Sequence, residues 1–191
     1  RIGGFGICRV RFLHSMRAEG EEQPTHMANH DALTGLATRR LGMEYISFAL
    51  ATANRNKSKA AVLFIDLDGF KVVNDKLGHE AGDAVLVGVA ERLLHCVREI
   101  DAVVRVGGDE FIVVLNDIHN RDNAALIAQK LIAALAQPFT LGDKNVTIGA
   151  SIGIALYPDH EQESEALLKR ADDALYGNKN QEKNNFALDS D

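Results

Sequence analysis

The sequence predicts an α/β sandwich in which helices flank one mixed, mainly antiparallel sheet. Helical and strand periodicities alternate from residue 29 onward. A continuous apolar run at 60–66 is typical of a strand buried on both faces, and two β-rich segments separated by a glycine pair predict a hairpin. The order helix, strand, helix, hairpin, helix, strand, helix favours a ferredoxin-like or palm-like arrangement over a doubly wound sheet.

The first helix is predicted at 39–53, with Thr38 as its N-cap. Four apolar residues recur along it at helical spacing and are expected to face the core. They are Leu41, Tyr45, Phe48 and Ala49. A polar turn at 54–59 then leads into the buried strand at 60–66, which ends in an aspartate.

The middle of the chain is predicted to hold two helices and the hairpin. A short helix at 70–77 is stopped by Gly78, and a longer helix is expected at 83–98 from the spacing of its apolar residues. The hairpin strands are predicted at 102–106 and 111–115. The tip of the hairpin therefore carries the two carboxylates that follow the glycine pair.

The last part of the chain continues the alternation. A helix at 123–137 is ended by Pro138, and a long strand is predicted at 146–157. The final helix is expected at 165–177, with a short closing strand at 186–188.

Composition sets limits on function. The chain has 191 residues, 46% of them hydrophobic and 25% charged, which is typical of one soluble globular domain with short tails. A formal net charge of -6 argues against binding to nucleic acid, which usually needs a basic face. Its apolar runs are far shorter than the roughly 20 residues of a membrane-spanning helix, so we expect no membrane contact by this domain.

The cysteines and the N-terminal segment indicate the expected cellular location and domain organisation. Cys8 and Cys96 fit neither a disulfide framework nor a zinc cluster, so a reducing cytoplasm is the expected location. Residues 1–28 mix arginine with glycine and end in a polar stretch, which is typical of a linker or tail. We therefore expect a module from a longer protein, with an upstream sensory or regulatory domain.

Acidic residues at the end of the buried strand are the first candidate for chemistry. Asp66 and Asp68 are two residues apart, so in an extended chain they project to the same side. If the hairpin pairs beside this strand, Asp109 and Glu110 come near Asp66, and three or four carboxylates gather at one sheet edge. Such a cluster needs a cation, and hard oxygen ligands of this type suit Mg²⁺.

Other interpretations of these acids stay open at this point. Asp68 could cap the following helix while Asp66 merely ends the strand. The segment 107–110 could be an ordinary polar hairpin turn. In that case the clustered carboxylates would repel one another with no cation between them, which costs free energy. Alternative sites are weaker, because the sequence has no GxxxxGK[ST] phosphate loop, no HExxH pair and no CxxC.

Five motifs follow one another along the chain. They are DALTGLATRR (31–40), FIDLDGFKVVND (64–75), GHEAGD (78–83), RVGGDEF (105–111) and ADDALYGNK (171–179). In order and spacing they resemble GGDEF domains, the diguanylate cyclase family. The resemblance covers 29–188, leaves 189–191 as a C-terminal tail, and implies a nucleotidyl cyclase variant of the palm-like fold.

The resemblance also implies an activity. GGDEF domains condense two GTP molecules into cyclic di-GMP and two pyrophosphates, by two-metal phosphoryl transfer across a homodimer. By similarity, Asp66, the main-chain carbonyl of Leu67 and Asp109 would bind one metal ion, and Glu110 would help to hold a second. Two Mg²⁺ or Mn²⁺ ions per active site are thus implied, with Asp109 also accepting the proton.

Further residues are implied to bind GTP. Asn74 and Asp83 resemble the pair that hydrogen-bonds guanine, whose donor pattern adenine lacks. Backbone N–H groups and lysine charges would bind the phosphates. These groups belong to Phe70, Lys71, Lys179 and Lys183. Here the sequence departs from the family, because Glu182, Lys183 and Asn184 replace a Gly-Arg-Asn ending, and a lysine cannot reproduce a bidentate arginine contact. A solvated tail is the alternative for these lysines.

Arg98 and Asp101 form an RxxD motif that resembles the site where cyclic di-GMP binds as an inhibitor. The alternative is a salt bridge at a helix end, which is worth little at a surface. Two rival functions stay open beside the cyclase. One is a non-catalytic module that binds GTP or cyclic di-GMP, and the other is a palm-like polymerase or purine nucleotide cyclase.

Overall fold

The computed structural model describes residues 29–179 and 184–189. The linker predicted at 1–28 and most of the tail predicted at 189–191 lie outside the described residues. The helices are Arg39–Asn56 (α1), Phe70–Leu77 (α2), His79–Cys96 (α3), Arg121–Leu135 (α4) and Ser164–Lys179 (α5). The strands are Ala37–Thr38 (β1), Lys59–Asp68 (β2), Ala102–Gly107 (β3), Glu110–Ile118 (β4), Phe139–Leu141 (β5), Lys144–Val146 (β6), Gly149–Tyr157 (β7) and Phe186–Leu188 (β8).

The main sheet has the strand order β1-β3-β4-β2-β7-β8. Strand β2 lies between β4 and β7 and is antiparallel to both, while β1 and β8 join the edges in parallel. This arrangement confirms the predicted mixed, mainly antiparallel sheet between helices. No helix among the described residues combines the length and the apolar character needed to cross a lipid bilayer.

Two hydrophobic cores form because the side chains of β2 alternate between the faces of the sheet. Ala61, Leu63 and Ile65 pack on the face covered by α2, α3 and α4. Val62 and Phe64 pack on the opposite face, against α1 and α5. A strand covered on both faces can be apolar throughout, which explains the continuous run seen in the sequence.

Helix α1 begins after Thr38, as predicted, and three of its four predicted core residues, Leu41, Tyr45 and Ala49, contact the core. Phe48 is 49% exposed, so its predicted place in the core is wrong. The buried face consists of small and aliphatic residues, namely Gly42, Ile46, Ala49, Leu50 and Ala53. A Cβ atom at Gly42 would lie 2.8 Å from Cγ1 of Val104, so the glycine lets α1 approach the sheet closely and turns the bulky aromatic ring outward.

Other boundaries differ in ways that have local causes. The predicted strand at 146–157 begins only at Gly149, because Val146 belongs to a separate hairpin formed by β5 and β6. Helix α3 begins at His79, directly after the turn at Gly78, rather than at the predicted residue 83. The short helix at 70–77 and the closing strand at 186–188 have the predicted bounds.

Candidate active site

The tip of the β3–β4 hairpin lies beside the end of β2. Asp66 is directly opposite Glu110 in the β2–β4 register, and the Leu67 N–H donates to the Asp109 carbonyl at 3.2 Å. That bond is of the kind that flanks a non-hydrogen-bonded pair, in which the Cα atoms are about 4.5 Å apart and the side chains share one face. Asp66 and Glu110 therefore point to the α1 and α5 side of the sheet, as Phe64 does.

Asp68 has a different role from Asp66. Its carboxylate accepts hydrogen bonds from Ser151 Oγ at 2.7 Å and from the Asn184 N–H at 3.0 Å. The N-cap of α2 is Gly69, which makes no side-chain cap bond, so the helix-capping interpretation of Asp68 is wrong. Asp68 instead connects the end of β2 to β7 and to the segment that enters β8.

Arg105 holds the tip of the hairpin in place. Its guanidinium donates to the Gly108 carbonyl at 3.0 and 3.3 Å and to the Asp31 carboxylate at 2.9 Å. Gly108 has a φ of +53°, a left-handed conformation that favours glycine. The position of Asp109 and Glu110 thus depends on an arginine and an aspartate that the sequence reasoning did not single out, although both lie in the motifs it quoted.

The Asp31 carboxylate is itself held by the turn that precedes β1. It accepts from the Thr34 N–H at 2.9 Å and from Thr34 Oγ1 at 2.6 Å, besides its bond from Arg105. Partial burial raises the pKa of Asp31, but the hydrogen bonds from Thr34 and Arg105 outweigh that effect, and the net pKa is lowered. Asp31 is therefore a carboxylate at neutral pH.

The donors at this edge fit a divalent ion that is bound together with its nucleotide. No group of three or more His, Cys, Asp or Glu side chains in the described part of the chain is placed to hold a metal by itself. Two paired strand ends supply the carboxylates of Asp66, Asp109 and Glu110, and Leu67 lies next to them in β2. Mg²⁺ commonly takes one or two carboxylates and completes its shell with water and substrate phosphates, which is the donor set available here.

Helix α2 begins two residues after β2 ends at Asp68. Its first residues are Phe70, whose side chain is buried, and Lys71, which is exposed. The first N–H groups of a helix have no partner within the helix and attract anions. Asn74 on α2 is half-buried and Asp83 on α3 is exposed, and these two helices join at Gly78 to form a corner.

A cleft of about 600 Å³ opens beside the same edge, between α1 and α5. Its floor includes Phe64, Val106 and Glu110, and its walls are Arg39 and Met43 on one side and Glu165, Ala166, Leu168, Lys169 and Asp172 on the other. The sequence did not reveal this cleft, because it arises from the packing of two helices that are distant in the chain. Since Glu110 is part of the floor, the cleft is continuous with the acidic edge.

The RxxD motif lies at the opposite end of the hairpin. Arg98 donates to the Asp101 carboxylate from Nε and Nη2, both at 3.1 Å, and from Nη2 to the Asn116 carbonyl at 2.5 Å. Asp101 also accepts from the backbone N–H groups of Arg98 and Asn116, each at 3.0 Å. The helix-end salt bridge considered as an alternative is therefore present in this structure.

The side chains of the two lysines predicted to bind phosphate lie outside the described residues. Lys179 is the last residue of α5, and its side chain lies outside the described residues. Lys183 also lies outside them. Asn184 is the first described residue after α5. Its Oδ1 accepts from the Ala150 N–H at 3.2 Å and fixes this segment beside β7.

A mixed sheet between helices, with carboxylates where two central strands end and a helix N-terminus next to them, is suited to holding a divalent metal ion and an anionic ligand. Comparison with known proteins identifies the family. The family model described as "Diguanylate cyclase, GGDEF domain" matches residues 28–185. The chain therefore belongs to the GGDEF domain family, a family of enzymes.

Individual relatives agree with this assignment. The chain is 47% identical over 152 residues to the diguanylate cyclase TpbB of Pseudomonas aeruginosa, covering 79% of this chain and 35% of TpbB. It is 41% identical over 181 residues to the bifunctional diguanylate cyclase and cyclic di-GMP phosphodiesterase MucR of the same species, covering 95% of this chain and 26% of MucR. The chain thus spans about a third or less of the length of these relatives.

Solved structures show the same fold. The GGDEF domain of TpbB from P. aeruginosa superposes with a TM-score of 0.82 at 44% identity, covering 84% of this chain and 94% of that domain. The GGDEF domain of DgcB from Caulobacter crescentus, solved in complex with c-di-GMP, superposes with a TM-score of 0.77 at 25% identity, covering 84% and 95%.

Proposed function

We propose that this domain condenses two GTP molecules into cyclic di-GMP and releases two pyrophosphates. The observation that carries the proposal is the register of β2 and β4, which pairs Asp66 with Glu110 and places Asp109 next to Leu67. Relatives named as diguanylate cyclases support the same activity.

The acidic edge is proposed as the metal site. Asp66, the Leu67 carbonyl and Asp109 would hold one Mg²⁺ or Mn²⁺, and Glu110 would help to hold a second. When bound, the two ions acidify the ribose 3′-hydroxyl and offset the charge of the α-phosphate. Asp109 accepts the proton that the 3′-hydroxyl loses.

The corner between α2 and α3 is proposed to bind the nucleotide. Asp83 can accept from the N–H groups of guanine, and the Asn74 amide can both donate and accept. The backbone N–H groups of Phe70 and Lys71 face the terminal phosphates, to which Lys179 and Lys183 add positive charge. GTP would therefore lie across the end of β2, with its base on one side and its phosphates at the acids.

The stoichiometry of the reaction requires two copies of the domain. Each 3′-oxygen forms a bond to the α-phosphorus of the other nucleotide, while the bond from that phosphorus to the pyrophosphate oxygen breaks. Because one domain holds one GTP, two domains must face each other in a homodimer. A strictly monomeric form is expected to be inactive.

Regulation is proposed to involve the product and the rest of the protein. Arg98 and Asp101 would bind cyclic di-GMP as an inhibitor, since Arg98 is 53% exposed and can offer N–H groups to a phosphate. The relatives are two to four times longer than this chain, which supports an upstream sensory or regulatory domain. A cytoplasmic location of the domain follows from a GTP substrate.

A second candidate function is a regulatory module that binds GTP or cyclic di-GMP without turnover. It is favoured by the substitution of Lys183 for the arginine of the family's closing motif, because lysine lacks the planar fork that binds phosphate through two bonds. In such a module Asp66 and Glu110 would have the same arrangement and would contribute to nucleotide binding without catalysis.

One experiment separates the two functions. The purified chain is incubated with GTP and Mg²⁺ or Mn²⁺, pyrophosphate release is followed, and the nucleotide product is identified. We expect cyclic di-GMP from the unaltered chain and a loss of at least about a hundredfold in Asp109→Ala, since a group that acts on the transition state is removed. Asp143→Ala, in the exposed β5–β6 turn, is the control and should retain full activity.

Two outcomes would count against the cyclase. GTP binding with no pyrophosphate release would favour the regulatory module. Full activity of Asp109→Ala, with an unchanged circular dichroism spectrum and melting temperature, would remove the acidic edge from the mechanism.

A further inference from the structure

We infer that Gly82 determines the base preference of the nucleotide site, by leaving space on α3 for the side-chain amide of Asn74. The inference rests on the proposed role of Asn74 in reading guanine. Gly82 is the fifth residue of the GHEAGD motif, directly before Asp83.

The space at Gly82 is occupied by Asn74. A Cβ atom built at Gly82 would lie 2.9 Å from Cγ of Asn74 and would collide with its Oδ1, while the Cζ atom of Phe70 would be 3.3 Å away. Gly82 is buried in α3, and the nearest neighbours of an added Cβ are side-chain atoms of Asn74 and Phe70. Any larger residue would push the Asn74 amide away from α3.

Backbone conformation does not explain a glycine at this position. Gly82 lies within α3 and is not among the residues with positive φ, so alanine could adopt its conformation. Within a helix, glycine costs about 1 kcal/mol relative to alanine. Gly82 therefore lowers the stability of the helix, but it leaves space for the Asn74 amide at the proposed guanine site.

The backbone at Asn74 is held by hydrogen bonds at the corner between the two helices. The main-chain carbonyl of Asn74 accepts from the Gly78 N–H at 2.9 Å at the end of α2. The Gly82 N–H in turn donates to the main-chain carbonyl of Gly78 at 3.3 Å. The corner between the helices is thus continuous in backbone hydrogen bonds from Asn74 to Gly82. The Asn74 side chain is then directed by contact with the α3 backbone, next to Asp83.

The test compares base preference in Gly82→Ala and in a matched control. Guanosine 5′-(α,β-methylene)triphosphate and its adenosine counterpart are used as probes with Mg²⁺, because neither can release pyrophosphate. Base preference is the dissociation constant of the adenosine probe divided by that of the guanosine probe. We expect Gly82→Ala to reduce this ratio about tenfold, which is the effect of one misplaced hydrogen-bonding group. The control is Gly88→Ala, also on α3, where a Cβ would lie 3.0 Å from the Phe139 ring. The steric obstacle at Gly88 is milder and involves Phe139 rather than Asn74, so Gly88→Ala should keep the unaltered ratio.

A double variant separates positioning from general damage. In Asn74→Ala/Gly82→Ala no amide remains to be displaced, so the ratio of dissociation constants should equal that of Asn74→Ala. The collision with Asn74 is also gone, so the melting temperature should be higher than that of Gly82→Ala. An unaltered ratio in Gly82→Ala overturns the inference, as does a double variant that fails to fold. Equal binding of both probes by the unaltered chain would overturn the proposed guanine site together with the inference.

Discussion

Two arginine–aspartate pairs hold opposite ends of the β3–β4 hairpin, and they differ in which partner is exposed. At the acidic end, the side chains of Arg105 and Asp31 are 12% and 25% exposed. At the other end, Arg98 is 53% exposed, whereas Asp101 is 1% exposed. Both arginines also donate to a main-chain carbonyl of the hairpin region.

The difference separates a structural pair from a pair that can bind a ligand. Arg105 is largely removed from water and uses its donors on Gly108 and Asp31, so its contribution is to fix the hairpin tip. Arg98 is held by a buried carboxylate, yet half of its surface faces solvent. An anion can reach Arg98 without unfolding its surroundings, which supports the proposed inhibitory site.

Replacement of Arg105 is expected to have the largest effect. Arg105→Ala leaves the Asp31 carboxylate partly buried without its cation, which should lower the free energy of unfolding by about 3 kcal/mol. It also releases the Gly108 carbonyl, so cyclase activity should fall together with stability. Urea unfolding and the GTP assay check both effects, and Arg105→Lys should fall between the unaltered chain and the alanine variant. Unchanged stability would show that the two ends of the hairpin do not differ as described.

Acid should weaken the Asp31 pair. Because the pKa of Asp31 is lowered in the folded state, its contribution to stability is complete above the ordinary aspartate pKa of about 4 and is lost as the pH falls through the lowered value. The difference in free energy of unfolding between the unaltered chain and Asp31→Asn should therefore shrink below about pH 4. A series of urea titrations from pH 7 to pH 3 measures it, and a constant difference would contradict the assigned cause of the pKa shift.

Replacement of Arg98 should have the smallest effect on stability, because its guanidinium is 53% exposed and the buried Asp101 carboxylate keeps its hydrogen bonds from the backbone N–H groups of Arg98 and Asn116. Arg98→Ala should nevertheless raise the concentration of cyclic di-GMP that halves activity by at least about tenfold, while the initial rate stays unchanged. Arg121→Ala, an exposed arginine at the start of α4, is the control. Unchanged inhibition in Arg98→Ala would remove the inhibitory assignment of this motif.

The sequence predicted the elements that place the site. The continuous apolar run of β2 and the glycine pair of the hairpin are strong local signals, and antiparallel pairing then leads directly to Asp66 opposite Glu110. The roles of Asn74 and Asp83 came from family resemblance, since no periodicity indicates which polar residue on a helix binds a base. Those roles and the metal ligands remain proposals.

What the sequence did not predict depends on tertiary packing. Phe48 fits the helical period, but Gly42 brings another face of α1 against Val104, and periodicity alone cannot weigh a close approach against a large ring. Asp68 was grouped with the acidic cluster, yet its partners Ser151 and Asn184 are more than 80 positions away in the chain. Contacts of such long range leave no pattern in the local sequence.

The outermost strands of the sheet have a consequence for how copies of this domain can meet. β1 has two residues and β8 has three, so each edge offers few backbone groups to an incoming chain. Short edge strands disfavour growth of a sheet from one molecule into the next. Two copies of this domain are therefore expected to meet through side chains rather than by pairing of their outermost strands.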